Sequence, residues 1–78
     1  MAGVVSRDLN IDWQQLALNL RTCGQVLTVL SKQLGLHEGY LCQLARGEIN
    51  EPRFSIGLRL LNLHLDVCGA ARQRALIR

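Results

Sequence analysis

Leu27, Leu30, Leu34, Leu36, Leu41 and Leu44 punctuate a stretch of twenty residues that also holds a small Ser31 and a Gly35. This spacing constrains the fold more than any other feature of the chain. Leu27, Leu30 and Leu34 recur at the three- and four-residue intervals that line one face of a helix. Gly35 can take the positive φ that ends a helix in a sharp turn, and Leu41 and Leu44 can anchor a second helix crossing the first. Ser31 falls where that crossing brings the backbones together, so a bulky side chain there would push the helices apart. The pattern predicts a helix-turn-helix.

The chain has 78 residues, enough for one domain. A domain of that size buries only about 60% of the surface its unfolded form exposes, so a partner subunit would add useful stability. Apolar residues make up 49% of the chain, yet Trp13, Tyr40 and Phe54 are its only aromatic residues, so the core must come from aliphatic side chains. So few rings argue against single-strand binding by base stacking. The formal charge of +3 is compatible with a polyanionic partner without requiring one. No run of apolar residues is long enough to span a bilayer, and the N-terminus lacks the basic and then apolar pattern of a signal peptide, so a cytoplasmic protein is expected. Cys23, Cys42 and Cys68 are odd in number and form no CxxC pair. That fits reduced thiols better than disulfides or a zinc site, and no cofactor is expected.

Residues 1–11 show no helical period and read as an N-terminal arm. Asp12 is placed to cap a first helix over 13–23, with Gln15 reaching back in a capping box and Trp13, Leu16, Ala17 and Leu20 on one face. Gly24 ends it. The second helix is expected over 25–34 and the third over 37–46, closed by Gly47. A polar loop over 48–53 follows, and its Pro52 cannot lie inside a helix. Residues 54–67 mix a helical stripe with strand-like alternation; helix is favoured because leucine dominates and the run exceeds a usual strand. As a helix it carries two apolar faces, one through Phe54, Leu58, Leu61 and Leu65, the other through Ile56, Leu60, Leu63 and Val67. One face suits the core. The second set, Ile56, Leu60, Leu63 and Val67, is assigned to a homodimer interface. With the domain proper over 12–69, residues 70–78 form a basic tail carrying Arg72, Arg74 and Arg78, either a short helix or loose.

The stretch Leu30-Ser31-Lys32-Gln33-Leu34-Gly35-Leu36, followed by Leu41, Leu44, Arg46 and Gly47, resembles the lambda-repressor-like family of phage repressors and Cro proteins. Pro52-Arg53-Phe54 also looks like the segment that follows the recognition helix in some of them. The resemblance covers about residues 24–61. It implies a compact, all-α domain of five short helices, whose third enters the major groove of a double-stranded DNA operator, an inverted repeat bound by a homodimer. This chain has Leu27 where relatives often carry glutamine, and His37 where serine or threonine is usual.

On a helical wheel with Leu41 and Leu44 turned inward, Gly39, Cys42, Gln43 and Arg46 point outward and Glu38 projects near the N-terminal tip. The base-reading candidates are therefore Glu38, Gly39, Cys42 and Gln43. Gln43 can pair in bidentate fashion with adenine, or stand simply as a solvated glutamine; Glu38 can accept from cytosine, or favour the helix N-terminus through its dipole. Gly39 would let the backbone approach the groove closely. Lys32, Arg46 and Arg53 are the candidates for phosphate or minor-groove contact.

A small transcriptional repressor of Cro type is thus the expected function. The alternative is a protein-interaction module, such as a phage inhibitor of a host factor, that uses Leu27, Tyr40 and the last apolar helix. Enzymatic activity is not expected: His37-Glu38 and His64-Leu65-Asp66 bring acid-base groups together without a metal-ligand spacing or a supporting nucleophile.

Overall fold

A computed structural model describes residues 11–77. The elements of the described residues are five helices: α1 (Trp13–Thr22), α2 (Leu27–Gln33), α3 (Tyr40–Ala45), α4 (Phe54–Cys68) and α5 (Ala70–Ala75). The ambiguous segment resolves as one continuous helix. α1 is the hub, packed against α2, α3 and α4, while α5 folds back on α4.

The Asp12 carboxylate accepts from the Gln15 backbone N–H at 3.1 Å, which satisfies one of the otherwise unpartnered donors at the start of α1. Only half of the expected capping box forms, because the Gln15 side chain turns forward and donates to Asn19 Oδ1 at 2.9 Å. Leu16, Ala17 and Leu20 are fully buried. They meet Leu27 and Leu30 of α2, Leu41, Leu44 and Ala45 of α3, Leu60 of α4, and Leu76. Burial of a leucine side chain contributes roughly 1.5–3 kcal/mol, so this cluster supplies the main driving force of the fold.

Leu76 corrects the expected domain limits. It is fully buried, its carbonyl accepts from the Asp12 N–H at 2.9 Å, and Ile77 forms an isolated antiparallel bridge with Ile11. Residues 70–77 and Ile11 therefore belong to the domain and join its two ends. The rest of the expected arm, residues 1–10, and Arg78 lie outside the described residues.

α4 carries the second correction. The face assigned to a dimer interface turns inward: Leu60 is 0% exposed, and Ile56, Leu63 and Val67 are half-buried against the core. The opposite stripe is exposed, with Phe54 at 84%, Leu58 at 48% and Leu65 at 42%. The fully inward line runs Gly57, Leu60, His64. Gly57 is there because of close approach: a Cβ would stand 3.0 Å from Trp13 Cη2. His64 is there because its ring is fully partnered.

Asn19 Nδ2 donates to His64 Nε2 at 3.1 Å, and His64 Nδ1 donates to Gln73 Oε1 at 2.6 Å. Gln73 Nε2 then donates to the Leu61 carbonyl at 3.1 Å. With Gln15 orienting Asn19, these bonds form one directed chain through α1, α4 and α5 and place the imidazole proton on Nδ1. The network joins the three helices. It also satisfies His64 in the interior, where the ring has no exposed surface.

Candidate nucleic-acid interface

Ser31 fixes α3 on α2. It is fully buried; its hydroxyl donates to the Leu27 carbonyl at 2.8 Å and accepts from the Leu41 N–H at 3.2 Å. Leu41 is the second residue of α3, so its N–H has no partner within the helix, and Ser31 supplies from α2 the cap that α3 lacks locally. Gly35, at φ 78°, makes the turn between them in a conformation that side-chain-bearing residues rarely adopt.

α3 is shorter than the sequence reading of 37–46. Its own N-cap residue, Gly39 at φ −89° and ψ 3°, has no side chain with which to cap it. Gly39 is therefore not inside the helix, and its backbone conformation there is open to any residue. Glu38 and Gly39 form a turn closed by the Tyr40 N–H donating to the His37 carbonyl at 3.1 Å, and the His37 ring meets Tyr40 edge-on with centroids 5.7 Å apart.

Gln43 and Cys42 are half-buried on α3, Cys42 packing partly against the core. Gln43's side chain makes no hydrogen bond among the described residues, which leaves its amide available to a ligand. Glu38 is exposed and its Oε2 lies 3.4 Å from Lys32 Nζ, so the two form an ion pair beside the N-terminus of α3. Arg53 is exposed as the N-cap of α4 and stands near Tyr40. Burial pushes the Tyr40 hydroxyl's pKa up, while the Arg53 charge partly offsets it.

At the other end of α3, Arg46 donates from Nε to Glu48 Oε2 at 2.8 Å and from Nη2 to Glu48 Oε1 at 3.3 Å. This fork holds the Glu48 carboxyl below its usual range and raises the Arg46 guanidinium. Glu48 is the residue that sequence reasoning missed, and its two-residue separation from Arg46 was the available signal. Lys32 and Arg46 therefore each face an acid, and Arg53 borders a groove of about 400 Å³ lined by Trp13, Pro52, Phe54, Gly57 and Leu58.

Leu27, named for the protein-docking alternative, is only 5% exposed and serves the core, while Tyr40 is half-buried. Among the described residues no group of three His, Cys, Asp or Glu side chains is arranged to hold a metal ion, and no helix is long and apolar enough to cross a membrane. Compared with family models, curated proteins and solved structures, the chain matches none.

Proposed function

We propose that this chain is a sequence-specific, double-stranded-DNA-binding transcriptional regulator, a repressor of the Cro type used by phages and mobile elements. The observation that carries the reading is the Ser31 clamp. It holds a short helix rigidly across its predecessor while Gln43 keeps an unengaged amide and Lys32, Arg46 and Arg53 stand exposed around that helix. Phosphate contacts by the three cations fix register, and Gln43 and Glu38 discriminate base edges. Each cation engages phosphate by exchanging a carboxylate partner or water for it, at little cost because exposed ion pairs are weak.

Two copies pair through the exposed stripe of Phe54, Leu58 and Leu65, with Leu61 beside it. A two-fold axis on B-DNA sets the two α3 helices about 34 Å apart, or a multiple of that, on one side of the duplex. Occupancy of a promoter then excludes polymerase. Selection of bound fragments from a pool of random duplexes tests this function: an enriched inverted repeat is expected, and a pool that stays random would contradict it.

A second reading, a protein-interaction module, is favoured by the pairing of Lys32 with Glu38 and of Arg46 with Glu48, together with the 84% exposure of Phe54. Duplex affinity that responds steeply to salt separates the two, because only phosphate binding releases condensed counterions.

A further inference from the structure

Cys23 follows α1 and Cys68 ends α4, far apart in the chain, yet both converge on the carbonyl of Asn19. The Cys23 N–H donates to it at 2.9 Å and the Cys68 thiol at 3.5 Å. The Cys23 thiol also lies near enough to Cys68 to help raise its pKa. Arg72 reaches across from α5 and donates from Nη1 to Cys23 Sγ at 3.0 Å. Both cysteines are only partly buried, so a small oxidant has access to the pair. Arg72 is thereby assigned to a sulfur, and this group plays no part in the proposed DNA surface.

We propose that Cys23 and Cys68 form a peroxide-reactive dithiol in which Cys23 attacks, Cys68 resolves the product as a disulfide, and Arg72 directs the order. In the first step Cys23 Sγ attacks one oxygen of hydrogen peroxide. An S–O bond forms and the O–O bond breaks; the departing hydroxide and the Cys23 proton make water. Sulfur is oxidised to sulfenic acid while peroxide is reduced. In the second step Cys68 Sγ attacks Cys23 Sγ. An S–S bond forms, the S–O bond breaks, and the hydroxyl leaves with the Cys68 proton as a second water. Two thiols and one peroxide thus give one disulfide and two waters.

The order follows from the surroundings. The Arg72 guanidinium faces the sulfur that carries negative charge as it attacks peroxide, and a neighbouring cation is the environment in which cysteine reactivity rises. Cys68 has its proton engaged by the Asn19 carbonyl, and burial, with Cys23 beside it, pushes its thiol up to about 11 against the lowering pull of Arg72, so Cys68 is not the thiol that attacks peroxide first. The resulting disulfide ties the C-terminal ends of α1 and α4 and releases Arg72 from sulfur. Closing so long a loop should raise the melting midpoint on the order of 10 °C or more.

The test treats the full chain, reduced and free of oxygen, with one equivalent of hydrogen peroxide, then alkylates it and maps the peptides by mass spectrometry. Expected are the loss of two hydrogens from the intact chain, a Cys23–Cys68 cross-linked peptide, an alkylated Cys42 and a raised melting midpoint. Cys68→Ser should stop at a Cys23 sulfenic acid trapped by dimedone, and Arg72→Met should slow disulfide formation about threefold or more. Because the parent protein is itself the principal sample, a poorly folded variant leaves the cross-link measurement intact. Cys23 and Cys68 both still alkylated after peroxide, a link through Cys42, or links only between chains would each overturn the site. A dimedone adduct on Cys68 in the parent protein would overturn the order, as would an unchanged rate in Arg72→Met.

Discussion

Replacing Ser31 by alanine removes one oxygen and, with it, the contact that joins α2 to α3. The Leu27 carbonyl loses a 2.8 Å bond but keeps its place in the helical ladder, so that loss is minor. The Leu41 N–H loses its 3.2 Å partner in a residue with no exposed surface, and water cannot take over. An orphaned buried donor costs about 1–3 kcal/mol, and deletion of a helix cap about 0.5–2 kcal/mol, so the shared range of about 1–2 kcal/mol is expected. For a domain this small, that lowers the melting midpoint on the order of 10 °C. Ser31→Val should be worse by about 1–3 kcal/mol, because it adds bulk at the helix crossing to the same lost hydroxyl. Ser55, exposed in the first turn of α4, is the control, and Ser55→Ala should stay within about 0.5 kcal/mol. Thermal and urea melts followed by circular dichroism give the energies, and amide exchange at Leu41 gives the location. An alanine variant within about 0.5 kcal/mol of the parent, with Leu41 still protected, would refute the clamp.

On α4, Phe54→Asp and Leu58→Glu should yield a monomer in sedimentation that stays helical and loses only the stability that pairing adds, whereas Leu60→Ala should cost about 2–5 kcal/mol as a core cavity; an unchanged oligomeric state in both exposed-face variants would contradict the pairing. Glu48→Gln frees the Arg46 fork and should tighten duplex binding about two- to fivefold, and weaker binding would mean that Arg46 needs Glu48 to hold its geometry. Tyr40 and Cys68 both have raised pKa values, so each holds its proton more tightly folded than unfolded. Their contribution to stability is complete below their ordinary values and is lost as pH rises, which predicts a melting midpoint that falls as pH climbs from about 9 to about 11. Tyr40→Phe with Cys68→Ser should flatten that decline, and an equally steep decline in the double variant would show that other groups cause it.

The helix pair was legible in the sequence because its signals are local. Leu27, Leu30, Leu41 and Leu44 are all buried, Gly35 has positive φ, and Ser31 stands at the crossing where its small size required it. The orientation of α4 was not legible from apolar periodicity, since its inward line contains a glycine and a histidine. Gly57 needs Trp13 against it, and His64 needs Asn19 and Gln73, so both positions depend on partners distant in the chain. The docked C-terminus was hidden in the same way, with Leu76 following a run rich in arginine. In the candidate site, the residue types around α3 could be read by helical wheel. The late start of the helix could not, because its cap comes from Ser31 of the preceding helix.

Base reading by α3 is measured by a paired titration of a selected duplex and a random duplex over a series of salt concentrations, with the parent chain and Gln43→Ala. Base reading by α3 predicts tighter binding to the selected duplex, log affinity that falls linearly with log salt on both, and a Gln43→Ala loss of about 1–3 kcal/mol on the selected duplex with little change on the random one. Equal affinity for the two duplexes, or affinity indifferent to salt, would contradict it.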